Sequence, residues 1–310
     1  MINKKIVITG GAGFIGSNLA YNLASENQTI VIDDLSTGYQ INIQDLIDKN
    51  QIEFLKISIT HLDELMNIFK DVDYVFHQGA IPSVPRSIKD PITSNHANID
   101  GTLNVLVAAK ENNVEKVIFA SSSSVYGESP TLPKKESMKP DPLSPYAVCK
   151  LAGEYYCNVF TNVYDLKTVS LRYFNVYGPM QDPTGDYAAV IPKFIKKILN
   201  DESPVIYGDG EQTRDFTFVY DAVQANIKAA ESPACGIFNI SGGKRISINT
   251  LARMIMKKIG KNIEIIHTDP RPGDIMHSLA DISKAEKHFN YKPEIDLETG
   301  IMETIKWFQK

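Results

Sequence analysis

Tyr146 and Lys150 stand four residues apart in the run Ser144-Pro145-Tyr146-Ala147-Val148-Cys149-Lys150. The stretch from Pro145 to about Val163 reads as a helix, and residues four apart on a helix share a face. A free phenol has a pKa of about 10. An ammonium held beside it favours the phenolate, and a neighbouring opposite charge shifts a group by roughly one to three units. The pair therefore reads as a base that takes a proton from an alcohol near neutral pH. Most tyrosine–lysine pairs of this spacing are ordinary surface pairs, so the surroundings decide.

One neighbouring signal is Ser121-Ser122-Ser123-Ser124-Val125-Tyr126-Gly127, directly after the strand-like run Lys116-Val117-Ile118-Phe119-Ala120. A serine cluster is often only a solvated loop. At the carboxyl end of a strand in a parallel sheet, where ligands bind, it reads as a set of hydroxyls for a site. The other signal is Ile6-Val7-Ile8-Thr9-Gly10-Gly11-Ala12-Gly13-Phe14-Ile15-Gly16. A β-branched strand runs into G-x-x-G-x-x-G, and a helix-like segment follows from Phe14 to about Leu23. Strand, glycine turn and helix in that order present backbone N–H groups and a helix N-terminus to a pyrophosphate. A second apolar run, Thr29 to Ile32, ends at Asp33-Asp34, 17 residues after Gly16. An acid there accepts hydrogen bonds from an adenosine ribose. No arginine follows closely in Leu35-Ser36-Thr37-Gly38, which favours NAD over NADP. A positive nicotinamide ring would add to the pull of Lys150 on the Tyr146 proton.

These residues need a scaffold, and the chain supplies alternating strand and helix patterns. Strands are expected at Gln51 to Ile57, Asp73 to His77, Lys116 to Ala120 and Lys167 to Arg172. Helices are expected at about 62–70, as one long helix at about 91–111, and at 145–163. Repeated βα units mean an α/β protein with a Rossmann-type, doubly wound parallel sheet. Beyond Asn175 the pattern loosens. Helices at Tyr187 to Leu199 and Ser247 to Ile259 and a short strand at Pro204 to Tyr207 suggest a smaller α/β substrate-binding domain. Phe216 to Val219 and Gly236 to Ile240 read as strands that return to the main sheet. The expected division is a dinucleotide-binding domain at 1–175, with returning segments at about 214–242, and a smaller domain formed by 176–213 and 243–310.

The 310 residues suit about two domains, and 43% hydrophobic with 22% charged is ordinary for a globular chain. A formal charge of −5 argues against a general nucleic-acid or anionic-membrane surface. Cys149, Cys157 and Cys235 have neither disulfide nor metal spacing, so packing is the expectation and no metal is expected. The chain enters its first strand after five residues and holds no 18-residue apolar run. A cytoplasmic protein without a membrane partner is expected.

Taken together, these motifs resemble the extended short-chain dehydrogenase/reductases from end to end, and within them the nucleotide-sugar 4-epimerases of the UDP-glucose/UDP-galactose group. The resemblance rests on Thr9 to Gly16, Asp33 to Gly38, Asn98-Ile99-Asp100-Gly101-Thr102, Ser122 to Gly127, Tyr146 with Lys150, Leu171 to Gly178, Gly208-Asp209-Gly210 with Arg214-Asp215, and Arg271-Pro272-Gly273-Asp274. It implies a reaction without net redox. Tyr146 takes the proton of the sugar 4-hydroxyl while NAD takes the hydride from C4. The 4-keto sugar turns over, and both return to the opposite face. Lys150 holds the nicotinamide ribose, Ser122 (with Ser123 close behind) bonds the reacting hydroxyl, and Asn98 orders the lysine.

The cofactor set implied is Gly10, Gly13, Phe14, Ile15, Gly16, Asp33, Asp34, Ser36, Thr37, Gly38, Ser58, Ile59, Gln78, Ala80, Asn98, Ser121, Tyr146, Lys150 and Tyr173. Arg214 and Arg271 match pyrophosphate-binding arginines, Asn175 a substrate-binding asparagine, and Tyr207 an aromatic near the uracil. Ser83, Ala189, Val190, Val205, Asp274 and Ser278 complete the substrate set. Serines in place of the dehydratases' Asp-Glu or the decarboxylases' glutamate leave Tyr146 as the only proton-transfer group and favour epimerisation.

Departures bear on the substrate. Ser278 stands where glucose-restricted members keep a tyrosine, which opens space at the C2 substituent. Ala189 replaces an asparagine, and Pro82-Ser83-Val84-Pro85-Arg86-Ser87-Ile88 replaces a lysine-containing loop. All three resemble the subgroup that prefers N-acetylated UDP-sugars, so UDP-GlcNAc/UDP-GalNAc is expected, with UDP-Glc/UDP-Gal as the relaxed alternative. Ser58 replaces an aspartate near adenine, which would weaken cofactor retention. A 4-ketoreductase, a dehydratase or a non-catalytic NAD-binding protein on the same scaffold remain open at this point. The family commonly forms homodimers through two helices, here about 91–111 and 145–163.

Overall fold

The computed structural model describes residues 1–184, 189–270 and 275–310. Seven parallel strands make the central sheet: β1 (Lys5–Thr9), β2 (Gln28–Ile32), β3 (Ile52–Leu55), β4 (Tyr74–His77), β5 (Lys116–Ser122), β6 (Lys167–Tyr173) and β7 (Gly236–Ile240). Their order is β7-β6-β5-β4-β1-β2-β3. The order reverses between β1 and β4, and in such sheets the crevice at the reversal takes the ligand. The strands are apolar on both faces because helices cover both. One core gathers Ile6, Ile8, Phe76, Ile118 and Leu171 with α1 (Phe14–Leu23). The other gathers Val7, Val75, Val117 and Phe119 with α2 (Leu62–Ile68) and α3 (Gly101–Glu111).

The helix that carries the tyrosine–lysine pair is α4 (Pro145–Tyr164). Ser144 starts it: its Oγ accepts from the Ala147 N–H at 3.2 Å, and Pro145 occupies the first turn, where a missing N–H costs nothing. A third core, from Tyr177, Ile191, Ile195, Phe218, Leu251 and Ile301, packs the C-terminal third around the amphipathic helices Val190–Leu199, Ile248–Ile259 and Leu297–Phe308. Among the described residues no helix is long and apolar enough to cross a membrane.

The doubly wound sheet is as expected, and β7 does return to it beside β6. Three expectations need correction. The long helix at 91–111 is interrupted: Pro91–Asn95 and α3 flank a wider π-helical turn at His96–Asp100, where Asn98 lies. Phe216 to Val219 does not join the main sheet. Among the described residues Thr217–Phe218 pairs with Val176–Tyr177 alone, and Val219 already opens α5 (Val219–Glu231), a helix the β-branched and aromatic run concealed. The helix expected from Tyr187 starts at Val190, because Ala189 before it has extended backbone and serves as its N-cap; Tyr187 lies outside the described residues.

Candidate functional site

The glycine turn after β1 sits at the sheet's reversal point and opens a cavity of about 400 Å³. Gly10 has φ +67°, and a Cβ on it would lie 2.6 Å from the Gly79 Cα on the neighbouring loop. A Cβ on Gly16 would lie 2.2 Å from the Gly10 carbonyl oxygen, so only glycine lets α1 start this close to the strand. The helix N-cap is Gly13, which has no side chain to cover the first turn. The N–H groups of the helix's first turn are thus available to an anion, while those of Gly10, Ala12 and Gly13 go to the Ile32 carbonyl, the Asp33 carboxylate and the Gly10 carbonyl.

Gly10, Gly13, Phe14, Ile15, Gly16, Asp33, Asp34, Ser36, Thr37, Ser58, Ile59, Gln78, Ala80, Ser121, Tyr146, Lys150, Tyr173 and Ala189 all line this one cavity. Asp33 is buried, and its carboxylate accepts from the Ala12 N–H at 3.0 Å and the Leu35 N–H at 2.8 Å. Burial, and then Asp34 beside it, push its pKa up against those hydrogen bonds. Asp33 thus braces the glycine turn against the β2 loop as well as facing the cavity. Gly38 lies under it, since a Cβ there would meet Asp33 Oδ2 at 2.8 Å. Ser58 lines the wall, but its Oγ already accepts from Thr60 Oγ1 at 3.0 Å and the Thr60 N–H at 3.4 Å. What Ser58 retains for a ligand is its hydroxyl proton, not an acceptor lone pair. Gln78 and Tyr173 meet over Asn226 of α5, with Gln78 Nε2 3.1 Å from Asn226 Oδ1 and Asn226 Nδ2 2.7 Å from Tyr173 Oη.

At the far end Lys150 is buried. Its Nζ donates to the Ala120 carbonyl at 2.8 Å and lies 5.8 Å from the centroid of the Tyr146 ring. Burial pulls its pKa down to about 8, with Glu154 among the groups that resist. Tyr146 is half-buried, and its backbone N–H donates to Ser87 Oγ at 3.0 Å. Burial pushes the phenol up to about 12, and the nearby Ser122 hydroxyl opposes this without reversing it. The expected depression by Lys150 is therefore not what this geometry produces. Desolvation wins, and Lys150 Nζ, 5.8 Å from the ring centroid, gives one of its three protons to the Ala120 carbonyl and none to the phenol. Ser122 Oγ accepts from the Ser124 N–H at 3.1 Å, and Ser123 opens the short turn that follows. Asn98 is buried off the cavity and holds the chain at Ile81: its Oδ1 accepts from the Ile81 N–H at 2.7 Å, and its Nδ2 donates to the Ile81 carbonyl at 3.2 Å.

The substrate candidates form a second group. Asn175, at φ +36°, donates through Nδ2 to the Asp215 carbonyl at 2.8 Å. Arg214 stands between Thr213 and Asp215 on a short strand, and the Ser278 N–H donates to the Thr213 carbonyl at 3.0 Å. Gln212 bonds the Tyr207 carbonyl at 2.7 Å, which ties Val205–Tyr207 to the same place. Asp215 is buried under this group, pushed up to about 6 by burial, and accepts from the Ala280 N–H at 3.0 Å. Ser83 caps the short helix Val84–Lys89, and Val190 opens the helix after Ala189. Arg271 and Asp274 lie outside the described residues.

Sequence reasoning missed one wall of the cavity. Met180, Gln181 and Asp182, in the loop beyond β6, face Tyr39 and Asn42 from the loop beyond β2. The Tyr39 hydroxyl donates to Asp182 Oδ2 at 2.8 Å across the mouth, and Asn18 Nδ2 donates to the Pro179 carbonyl at 3.2 Å. The rule that ligands bind beyond strand carboxyl ends applies to β6 as it does to β1 and β5, and would have found them.

The space, the glycine cradle, the bare helix N-terminus and the Asp33-Asp34 end of β2 together fit a dinucleotide. Comparison with known proteins agrees. The profile described as "NAD dependent epimerase/dehydratase family" matches residues 6–241. A UDP-glucose 4-epimerase of Mycolicibacterium smegmatis is 38% identical over 311 residues, covering 98% of each chain. A solved UDP-N-acetylglucosamine 4-epimerase from Methanobrevibacter ruminantium, in complex with UDP-N-acetylmuramic acid, is 47% identical, with a TM-score of 0.97 over 100% of this chain and 99% of that one. The UDP-glucose 4-epimerase of Thermus thermophilus, solved with NAD, is 34% identical, with a TM-score of 0.90 over 98% and 99%. Motif, fold and kinship over nearly the whole length meet in one conclusion: the chain belongs to the NAD dependent epimerase/dehydratase family.

Proposed function

We propose that the chain is a UDP-sugar 4-epimerase, an isomerase that acts on UDP-GlcNAc/UDP-GalNAc and, more slowly, on UDP-Glc/UDP-Gal. The observation that carries this is Tyr146 and buried Lys150 side by side on the wall of the dinucleotide cavity, with Lys150 Nζ 5.8 Å from the Tyr146 ring centroid. NAD, when bound, supplies the hydride acceptor and donor for the sugar C4 and a positive ring charge that favours the Tyr146 phenolate. Tyr146 Oη takes the proton of the sugar 4-hydroxyl and later returns it. Ser122 Oγ holds that oxygen while its charge changes. Lys150 remains cationic below about pH 8 and anchors the cavity floor through Ala120. Arg214 and Asn175 hold the UDP half, with Arg271 and Asp274 as further candidates, and a guanidinium suits phosphate because its donors form a fork. The small Ser278 and Ala189 leave room for an acetamido group at C2. No carboxylate is offered by Ser122 to Ser124 for loss of water, which weighs against a dehydratase.

We also propose a cytoplasmic homodimer and the division into a dinucleotide domain at 1–175 with 214–242 and a smaller domain from the remainder. The dimer reading is supported by the exposed apolar stripe Val148, Tyr155, Val159 and Val163 along α4, beside exposed Ile88 and Ile92.

The deciding experiment incubates the protein in parallel with UDP-GlcNAc and UDP-Glc and separates the epimers. Formation of UDP-GalNAc without lasting NADH is expected. Net NADH consumption, or loss of water by mass, would overturn the proposal. The Tyr146→Phe variant is expected to bind NAD and lose turnover by about three powers of ten or more.

A further inference from the structure

His77 ends β4, is buried, and has no part in the chemistry above. Both its ring nitrogens are engaged: Nδ1 lies 2.7 Å from Thr9 Oγ1, and Nε2 lies 3.0 Å from Thr102 Oγ1. The donors can be assigned from the ends of the chain of bonds. Thr102 Oγ1 is 2.6 Å from the Asn98 carbonyl, which only accepts, so the Thr102 hydroxyl proton goes there. Thr102 Oγ1 must then accept from an Nε2–H on His77. Nδ1 is left bare and accepts the Thr9 hydroxyl proton, and Thr9 Oγ1 in turn accepts the Gly79 N–H at 3.2 Å. Every donor finds an acceptor in this one direction only. Burial, and then the charge of Lys150, pull the His77 pKa down to about 3, so the ring stays neutral over the working range.

The relay joins parts that sequence leaves far apart. Thr9 leads into Gly10 of the dinucleotide turn, Gly79 is the residue packed against Gly10, and Asn98 clamps Ile81 two residues further on. Gly10, Gly79 and Ile81 all line the cavity. The His77 ring also lies 5.6 Å from the Phe119 ring, over whose face Lys150 Nζ sits at 5.0 Å.

We propose that His77, as the Nε2–H tautomer, is a positioning residue that locks the dinucleotide turn, the β4 loop and the π-helical turn at Asn98 into one rigid wall. The proposal rests on reading the cavity as a dinucleotide site. Thr102 is the place to test it, because Thr102 lies on α3 and does not line the cavity. Replacing its hydroxyl by a methyl leaves Nε2–H with no acceptor. The ring must then move its proton to Nδ1, which forces Thr9 to turn its own proton away.

The experiment uses the 310-residue chain, native, Thr102→Val and Thr102→Ser. NAD binding is titrated calorimetrically, melting is recorded separately, and the histidine tautomers are read from long-range proton–nitrogen spectra of the labelled protein. Native His77 is expected as the neutral Nε2–H tautomer from pH 5 to pH 9. Thr102→Val is expected to switch it to Nδ1–H and to weaken NAD binding by about fivefold to tenfold, the scale of one hydrogen bond. Thr102→Ser restores both. If Thr102→Val binds NAD within twofold of native, or if native His77 is Nδ1–H or protonated at pH 6, the proposal fails. A native chain that binds no NAD overturns the dinucleotide reading instead, and the tautomer spectra still report on the relay.

Discussion

Glu154 and Arg172 meet in two parallel hydrogen bonds, Nε to Oε1 at 2.8 Å and Nη2 to Oε2 at 2.7 Å, with neither side chain reaching solvent. Glu154 lies one turn beyond Lys150 on α4, and the Ser121 hydroxyl also donates to it at 2.5 Å. Arg172 stacks on the Tyr126 ring at 4.6 Å, and its Nη1 has no hydrogen-bond partner among the described residues. The pair pins β6 to α4, the helix that carries Tyr146.

Removing one charge of a buried pair leaves the other uncompensated. Glu154→Gln is therefore expected to cost about 3–5 kcal/mol in urea unfolding, while the double change Glu154→Leu with Arg172→Met costs less than the single one. A single variant within about 1 kcal/mol of native would contradict this.

Tyr39 and Asp182 form a polar bridge across the cavity mouth, from the loop beyond β2 to the loop beyond β6. The bridge is exposed, so Tyr39→Phe is expected to leave stability within about 1 kcal/mol. It is expected to speed NAD release about fivefold, read by stopped-flow displacement of bound cofactor. An unchanged release rate would mean that the bridge breaks freely already.

In the proposed substrate site, Ser278 would set the room at C2. Ser278→Tyr is expected to lower kcat/KM for UDP-GlcNAc by about tenfold to a hundredfold, with UDP-Glc changed by less than about threefold. Equal losses for both sugars would show that the position does not sort them.

The neutral His77 also predicts a pH dependence of stability. Its pKa falls from the ordinary 6.5 to about 3 on folding. Between these values the unfolded chain holds a proton that the folded chain refuses. The stabilisation is therefore complete above pH 6.5 and is lost as pH falls toward about 3, at up to roughly 1.4 kcal/mol per pH unit. Urea unfolding at pH 7, 6 and 5 should show this slope in the native chain. His77→Asn should flatten it relative to native.

The glycine turn and α1 were legible to the residue, because strand, turn and helix there are set by local sequence and by glycine's missing side chain. The tyrosine–lysine pair was legible for the same reason: a helix's own period places it. What escaped depends on contacts across the chain. The π-helical turn at His96–Asp100 follows from Asn98 clamping Ile81, which no spacing announces. Helix α5 was hidden because Phe216 to Val219 has strand-like composition, yet Val219 packs against Phe218 and Tyr177 in the third core and begins a helix. The upward pull of burial on the Tyr146 phenol was not legible, because charge can be read from sequence and desolvation cannot.

The hydroxyl chain through His77 carries an evolutionary implication. Positions 9 and 102 can exchange serine for threonine, but neither can drift to valine while the imidazole stays. Across descendants of this fold the three sites should therefore change as a set, with loss of one side-chain oxygen marking lineages in which the ring itself has been replaced.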